Sequence, residues 1–298
     1  MRFLLAAASF ALVATSISVL PNEEPKGLHS FCGTKEPPSE LHKVVQSHER
    51  RLPRRQALDP LLVDVYFHFV YSQAKAFSLL LRHANRHLKF LNDNFKPGNI
   101  AFQQVEVDLT VDPNWARDNS TREEMFHLLR KGDYSSLNVF SVEKTDDVDD
   151  LGWATLPDLW AIHEGQVVYD GVFIRDTIAA DGSYNRVVAK ALVHEVGHWF
   201  GLLHTFSNSC SGAGDLISDT PASLHFSGYC SETLDTCPDQ PGLDPLHNHM
   251  SYSNSECRTE FTKGQYAAIA MYWPWLRAPR GRLHDLVAGL WKSNRRID

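Results

Sequence analysis

No apolar run beyond residue 20 reaches the ~20 residues a bilayer-spanning helix needs, so the body of the chain offers no membrane span. Positive charge is in deficit. Against 36 Asp and Glu stand 29 Lys and Arg, a net of −7, which argues against a general nucleic-acid or anionic-membrane binder. Internal repeats are lacking. With 43% hydrophobic and 22% charged residues, the composition excludes a disordered or fibrous chain and leaves enough apolar material for a core. Methionine and cysteine are scarce, at four and five among 298 residues, so each one in a patterned position carries information.

The charge is unevenly placed. Residues 19–55 hold five Glu and seven Lys or Arg, a net +2; with Arg2 counted apart, residues 56–298 carry −10. The front is also organised as an address. Arg2 is followed by apolar residues 3–13, broken only by Ser9, then by small residues at Ala14, Ser16 and Ser18 and by Pro21. This is the form of a secretory signal peptide over residues 1–18. A short membrane anchor is the competing reading, and residues 3–20 with four Ser or Thr are marginal for it. Residues 19–55 are proline-rich, with dibasic sites at Arg50-Arg51 and Arg54-Arg55, and read as a removable propeptide or a plain surface linker. The expected product is secreted, with its catalytic body over residues 56–298 and no membrane anchor.

Strands and helices alternate in the first half. Residues 61–71, 100–111, 137–142, 151–156 and 167–174 are β-branched, aromatic or alternating and predict strands. Residues 74–91 carry apolar positions at helical spacing, and Thr121 to Glu124 has the capping-box form of a short helix. A long amphipathic helix is predicted over 186–203 and a last one over 262–273, with loops dominating between them. Four cysteines, Cys210, Cys230, Cys237 and Cys257, fall within 48 residues of that loop-rich part. They allow three pairings or a metal cluster; export favours disulfides, because exported thiols are oxidised.

The most informative run is Ala191 to His204, AlaLeuValHisGluValGlyHisTrpPheGlyLeuLeuHis. Residues four apart on a helix lie about 40° apart on one face, so His194 and His198 reach one metal. Glu195 is offset to meet water rather than ligate. Gly201 suits a left-handed helix stop, after which His204 can swing back as third ligand. Three neutral nitrogens leave zinc one open position, as in catalytic sites. The pattern H-E-x-x-H-x-x-G-x-x-H with a later methionine turn is the metzincin signature, and Met250 follows His204 by 46 residues. Packed or surface histidines are the ordinary alternative for one His, not for three His, one Glu and one Gly in register.

With Phe31-Cys-Gly-Thr34, residues 151–157 (LGWATLP), 170–174 (DGVFI), Asp219-Thr-Pro221, Asp235-Thr-Cys-Pro238 and the run from Met250 to Gln265, the chain resembles the pappalysin group of metzincins, and within it the fungal extracellular metalloproteases. The resemblance implies an α/β (α+β) zincin fold: a twisted mixed sheet with helices, a zinc cleft and an irregular, disulfide-stapled C-terminal subdomain. It implies zinc on His194, His198 and His204, Glu195 as general base and then acid, Tyr252 as oxyanion donor, and Met250 as the hydrophobic floor. It implies the pairs Cys210–Cys237 and Cys230–Cys257. Strand 151–156 would be the cleft rim on which extended substrate adds as a further strand. Ser251 and Asn254 depart from the acidic residues common at the Met-turn.

Four further expectations are narrower. Asp215 and Asp219 offer hard oxygens where relatives bind calcium, though solvated loop aspartates are commoner. Asn119-Ser-Thr121 is a glycosylation sequon. Glu256, in the loop after the Met-turn that forms the primed-side pocket of metzincins, suggests cleavage before Arg or Lys; a solvated surface Glu is the default. Cys32 is the odd cysteine, and its thiolate could fill the fourth zinc position as a cysteine switch, or it is an unpaired or intermolecular thiol. The whole predicts a monomeric secreted zinc endopeptidase acting on protein or peptide substrates, made as a zymogen. Alternatives are a catalytically silent zincin-fold binding protein and a different metzincin subfamily.

Overall fold

A computed structural model describes residues 32–34, 60–117, 122–143, 150–157, 166–175, 184–211 and 214–277. The segments expected as signal peptide and, except for residues 32–34, as propeptide, together with Asn119 and Thr121, lie outside the described residues. Five strands, β1 (Leu61–Tyr71), β2 (Ile100–Val111), β3 (Leu137–Val142), β4 (Gly152–Ala154) and β5 (Val172–Arg175), form one sheet in the order β2-β1-β3-β5-β4. Neighbours pair in parallel except β4, which runs antiparallel to β5 at the edge.

Two-residue alternation explains how the sheet takes helices on both faces. Val63, Val65, Phe67, Phe69 and Tyr71 of β1, with Val139 and Ile174, face the larger core beneath α1 (Phe77–Phe95) and α4 (Arg186–Trp199). Val70, Phe140, Val142 and Phe173 face the other way, onto α2 (Pro113–Arg117) and α3 (Arg122–Leu129). Burial on both faces makes β1 and β3 read as near-continuous apolar runs, whereas the parallel edge strand β2 keeps its alternation.

The predicted elements exist, with shifted ends. The helix expected over 74–91 runs Phe77–Phe95. The strand expected over 167–174 is split: a 3-10 turn over Gln166–Tyr169 precedes β5, because the Asp170 amide turns back to the Val167 carbonyl at 3.1 Å. The rim strand is short, with Pro157, which has no N–H for a ladder, close behind it. The zinc-motif helix ends at Trp199 rather than Leu203, since Gly201 adopts φ +102°, a conformation that side-chain-bearing residues rarely adopt. The last helix, α5 (Lys263–Tyr272), carries a full capping box from Thr262 and Gln265 and passes into a π-helical turn, Trp273–Arg277.

Between α4 and α5 the described chain has no named helix or strand. Two disulfides, Cys210–Cys237 and Cys230–Cys257, each spanning 27 residues, interleave across it. No described helix is long and apolar enough to cross a membrane.

Candidate metal centre and active-site cleft

α4 starts at Asn185, whose side chain accepts from the Val187 amide, and its buried face carries His194, Glu195 and His198. After the turn at Gly201, His204 comes back to the same point. His198 Nε2 lies 3.1 Å from His194 Nε2 and 3.0 Å from His204 Nε2. The opposite ring nitrogens are spoken for: His194 Nδ1 donates to the His249 carbonyl at 2.6 Å, and His198 Nδ1 to the Leu202 carbonyl at 2.8 Å. Those bonds place the ring protons on Nδ1 and leave bare lone pairs on Nε2. Burial first, then neighbouring imidazoles, holds both rings well below the usual histidine range, so they stay neutral. Lone pairs facing one another at such distances repel unless a cation sits between them. The donor set therefore fits zinc, with backbone carbonyls orienting the ligands from behind.

Cys32 completes the cluster. Ligand atoms of Cys32, His194, His198 and His204 all lie within 4.8 Å of one another, the one such group among the described residues. The Cys32 segment reaches the site along the sheet edge. Cys32 pairs in parallel with Gly152 of β4, and the Gly33 amide donates to the Gly152 carbonyl at 2.9 Å. The Cys32 thiol donates to Glu195 Oε2 at 3.3 Å, and Thr34 Oγ1 donates to the same oxygen at 2.9 Å while accepting from the Ala154 amide at 2.8 Å. Tyr252 donates its hydroxyl to the Cys32 carbonyl at 3.0 Å. Burial raises the Glu195 carboxyl to about 8 and pushes the Cys32 thiol well above its usual value.

Met250 lies beneath the cluster for a reason visible in α4: a Cβ on Gly197 would stand 2.5 Å from the Met250 sulfur, so only glycine admits the thioether there. The turn itself is held by an amide pair. Asn248 and Gln265 bond each other through both side-chain amides at 2.8 and 3.0 Å, and Asn248 Oδ1 also accepts from the Met250 amide. Gln265 is at the same time the capping-box residue of α5. This is what the Phe-Thr-x-Gly-Gln tail does, which sequence reasoning had only as a resemblance.

Other expected residues have partners of their own away from the histidine cluster. Asp215 is buried, with Oδ1 accepting from Ile217 N and Thr220 Oγ1 while Oδ2 accepts no hydrogen bond; burial raises its carboxyl to about 7. Asp219 spends its oxygens on Thr262 Oγ1 and the Gly264 amide. Glu256 is exposed, and its charge acts on Lys190. Sequence reasoning missed Arg258, which is 1% exposed and whose charge acts on Glu195, Tyr252 and Cys32. It also missed Arg277. That guanidinium bonds Asp170 at 2.6 Å and the Trp199 carbonyl at 2.8 Å, and lies over the Trp199 ring, clasping the end of the zinc-motif helix. Asp170 in turn accepts from the Trp199 indole at 3.0 Å.

Comparison with known proteins agrees with this chemistry. Residues 125–271 match the peptidase family described as pregnancy-associated plasma protein-A. An extracellular metalloprotease of Verticillium alfalfae is 39% identical over 90% of this chain and 98% of its own length. One of Pyricularia oryzae is 37% identical over 90% of this chain and 96% of its own. Mature mirolysin of Tannerella forsythia, in complex with a cleaved peptide, matches with TM-score 0.56 at 22% identity, over 74% of this chain and 99% of that one. A promirolysin mutant from the same organism matches with TM-score 0.61 at 21% identity, over 80% and 87%. The mirolysin likeness establishes the metzincin fold, and the fungal relatives carry the activity. The chain belongs to the pappalysin family of metzincin metalloproteases, alongside the fungal extracellular metalloproteases.

Proposed function

We propose that the protein is a secreted, monomeric zinc endopeptidase that is synthesised as a latent precursor. The observation that carries this reading is the convergence of three imidazole Nε2 atoms beside a buried glutamate. His194, His198 and His204 would hold zinc, which when bound supplies Lewis acidity, polarising a carbonyl and making water acidic enough to lose a proton near pH ~7. Glu195 takes that proton and returns it to the leaving amine. Tyr252 gives its hydroxyl hydrogen bond to the substrate carbonyl oxygen as charge gathers there, the contact it now makes with the Cys32 carbonyl. β4 offers an edge on which an extended peptide aligns, as the Cys32 segment already does.

Latency follows from what the Cys32 segment occupies. Its thiolate would take the fourth zinc position, Thr34 holds the Glu195 carboxylate, and the Cys32 carbonyl occupies the Tyr252 hydroxyl. Ligand, base and oxyanion donor are thus blocked at once. Cleavage at the dibasic sites would release the segment. Asn119 would carry a glycan on the exported protein.

Calcium is a separate part of the proposal, supported by the one buried Asp215 oxygen without a hydrogen bond. The remaining Asp215 and Asp219 oxygens serve protein donors. An unchanged Tm after treatment with EGTA removes calcium from the account.

The test of the main reading uses the processed, zinc-loaded enzyme on denatured casein. Cleavage is expected, with loss on treatment with 1,10-phenanthroline, restoration by zinc, and loss of at least ~10³-fold in Glu195→Ala. A wild type that cleaves nothing identifies a zincin-fold binding protein instead. A Glu195→Ala variant that still cleaves overturns the mechanism.

A further inference from the structure

Asp150 stands two residues before β4, at the start of the cleft rim, and the segment bound there shows which way it faces. The Thr155 amide donates to the Gly171 carbonyl and the Arg175 amide to the Leu151 carbonyl, so the odd-numbered positions serve β5. Gly152 and Ala154 face the open edge. Cys32 lies across from Gly152, and the Gly33 amide donates to the Gly152 carbonyl at 2.9 Å. Residues across from one another share a face in either strand direction, and successive residues alternate. A Cβ on Gly152 would stand 3.1 Å from Glu195 Cγ, so that face looks at the base, as the Cys32 thiol does. Gly33, across from Trp153, looks the other way. A Cβ on Gly33 would stand 2.7 Å from Asp150 Oδ2 and 3.5 Å from Trp153 Cβ.

A peptide that takes the segment's place presents a side chain where Gly33 has none, and that side chain starts against the Asp150 carboxylate. We propose that Asp150 is a specificity-determining residue that selects lysine or arginine in the substrate residue across from Trp153. Its place relative to the scissile bond follows from Tyr252. The carbonyl that Tyr252 holds joins Cys32 to Gly33, so the residues across from Gly152 and Trp153 flank the bond to be cut. A substrate that adds antiparallel to β4, the more stable pairing, runs opposite to the Cys32 segment. The residue across from Trp153 is then the one immediately before the scissile bond. This inference rests on the peptidase reading above and names the substrate class of the same site.

Charge and shape both favour a cation there. Asp150 is 6% exposed beside the segment, so its charge acts through an effective dielectric of about 20 rather than ~80. The sequence places three further aspartates, Asp146, Asp147 and Asp149, just before it, and residues 56–298 carry −10. A field of that sign draws basic peptides and repels acidic ones. The atom nearest Gly33 is the tip of a side chain with two rotatable bonds, so an entering side chain turns the carboxylate along its own length rather than being refused. The stem of a lysine or arginine would pass beside Trp153 and keep its charged head beyond. A carboxylate has about four lone-pair sites, so partners within the protein do not close Asp150 to a cation.

The experiment is a set of quenched-fluorescent peptides identical except for Lys, Arg, Gln, Leu or Glu before the scissile bond. Leucine follows the bond throughout, which takes Glu256 out of the comparison. The processed, zinc-loaded enzyme cuts them, with cut sites read by mass spectrometry. Wild type should cleave the Lys and Arg peptides at least about tenfold faster in kcat/KM than the Gln peptide, as a hydrogen bond between charged groups warrants, with Glu slowest. The Asp150 charge also reaches Glu195, behind burial and the bonds from Cys32 and Thr34, so the readout is the ratio between peptides and not the rate. In Asp150→Asn the Lys-to-Gln ratio should fall towards one, and in Asp150→Lys the Glu peptide should overtake the Lys peptide. A flat or acidic wild-type profile overturns the assignment. So does an Asp150→Asn ratio equal to that of wild type, which would leave Asp150 a structural residue, and so does cleavage on the other side of the lysine. If the variants fail to fold, the wild-type series alone still decides. Cleavage of none of the peptides, nor of casein, overturns the peptidase reading itself and this inference with it, whereas casein cleavage with a flat profile overturns this inference only.

Discussion

Asn248 and Gln265 face each other with both side-chain amides paired, joining the turn that carries Met250 to the first turn of α5. Every polar atom of the pair has a partner, because Gln265 Oε1 also accepts from the Thr262 amide and Asn248 Oδ1 from the Met250 amide. One buried dipeptide-like joint thus sets both a helix cap and the floor of the metal site.

Removing half of that joint should be felt twice. Gln265→Leu leaves the buried Asn248 amide unsatisfied, at about 1–3 kcal/mol, and removes the reciprocal half of the cap, at about 0.5–2 kcal/mol. We expect about 2–4 kcal/mol lower stability in urea unfolding of the zinc-loaded enzyme, together with reduced kcat as Met250 shifts. A Gln265→Leu protein as stable as wild type would show the pair to be incidental.

Thr34 should matter to latency independently of Cys32. Thr34→Val keeps the shape but loses the hydrogen bond to the Glu195 carboxylate and the acceptor for Ala154 N. A hydrogen bond contributes about 0.5–1.5 kcal/mol net, so the segment should hold the cleft about 2- to 12-fold less tightly. The Thr34→Val precursor should convert faster in a time course followed by gel, with Thr34→Ser close to wild type. Equal conversion of all three would assign inhibition to the thiol alone.

The clasp on the end of α4 is a buried ion pair, and breaking such a pair from one side costs about 3–5 kcal/mol. Arg277→Met removes the 2.6 Å partner of the Asp170 carboxylate and frees the Trp199 carbonyl, while Asp170 keeps Thr155, the Trp199 indole and Arg130 at 3.9 Å. It should lower stability by about the lower end of that range; Asp170→Asn with Arg277→Met together should recover part of the loss. A double-mutant cycle on chemical denaturation checks this, and strict additivity would disprove the coupling.

Acid should weaken the fold through α1. His87 is fully buried beside His83, its Nδ1 3.2 Å from the Tyr184 hydroxyl, with Arg86 over the Tyr184 ring; burial, then His83, lowers it from 6.5 to about 3. The folded state resists the proton that the unfolded chain accepts below pH 6.5. Stability is therefore intact above that pH and is lost as pH falls from 6.5 towards 3. At pH 5 the loss from this residue is about 2 kcal/mol. His87→Gln should flatten the stability-against-pH curve between pH 6.5 and 4; an unaltered slope would place the acid sensitivity elsewhere.

What could be read from sequence was what lies close in sequence. His194, Glu195, His198, Gly201 and His204 fall within eleven residues, where helical period brings the first three groups together and the turn at Gly201 returns His204. β1 and β3 were legible because burial on both faces leaves long apolar runs, and the edge strand β2 because it alternates. Partners far apart in the chain were not. Arg277 and Asp170 are separated by 107 positions, and Tyr252 and Cys32 by 220. Arg258 was hidden differently: an arginine two positions after a solvated glutamate reads as surface, yet its side chain is buried. The split before β5 had a local cause, the Asp170 turn, but that aspartate's role depends on Trp199 and Arg277.

The interleaved disulfides couple completion of the active site to oxidation of four thiols. The segment they cross, residues 210–257, carries Met250 and Tyr252 yet holds no named helix or strand. In the chain-entropy view each 27-residue closure contributes about 3–4 kcal/mol, together a large share of the 5–15 kcal/mol that separates a typical domain from its unfolded chain. A newly made chain with its thiols still reduced can assemble the sheet and α4 while the Met250 floor and the oxyanion donor remain on an unfastened loop. Completion of the site is thereby tied to closure of two bonds that fasten the Met250 floor and Tyr252 to the rest of the fold.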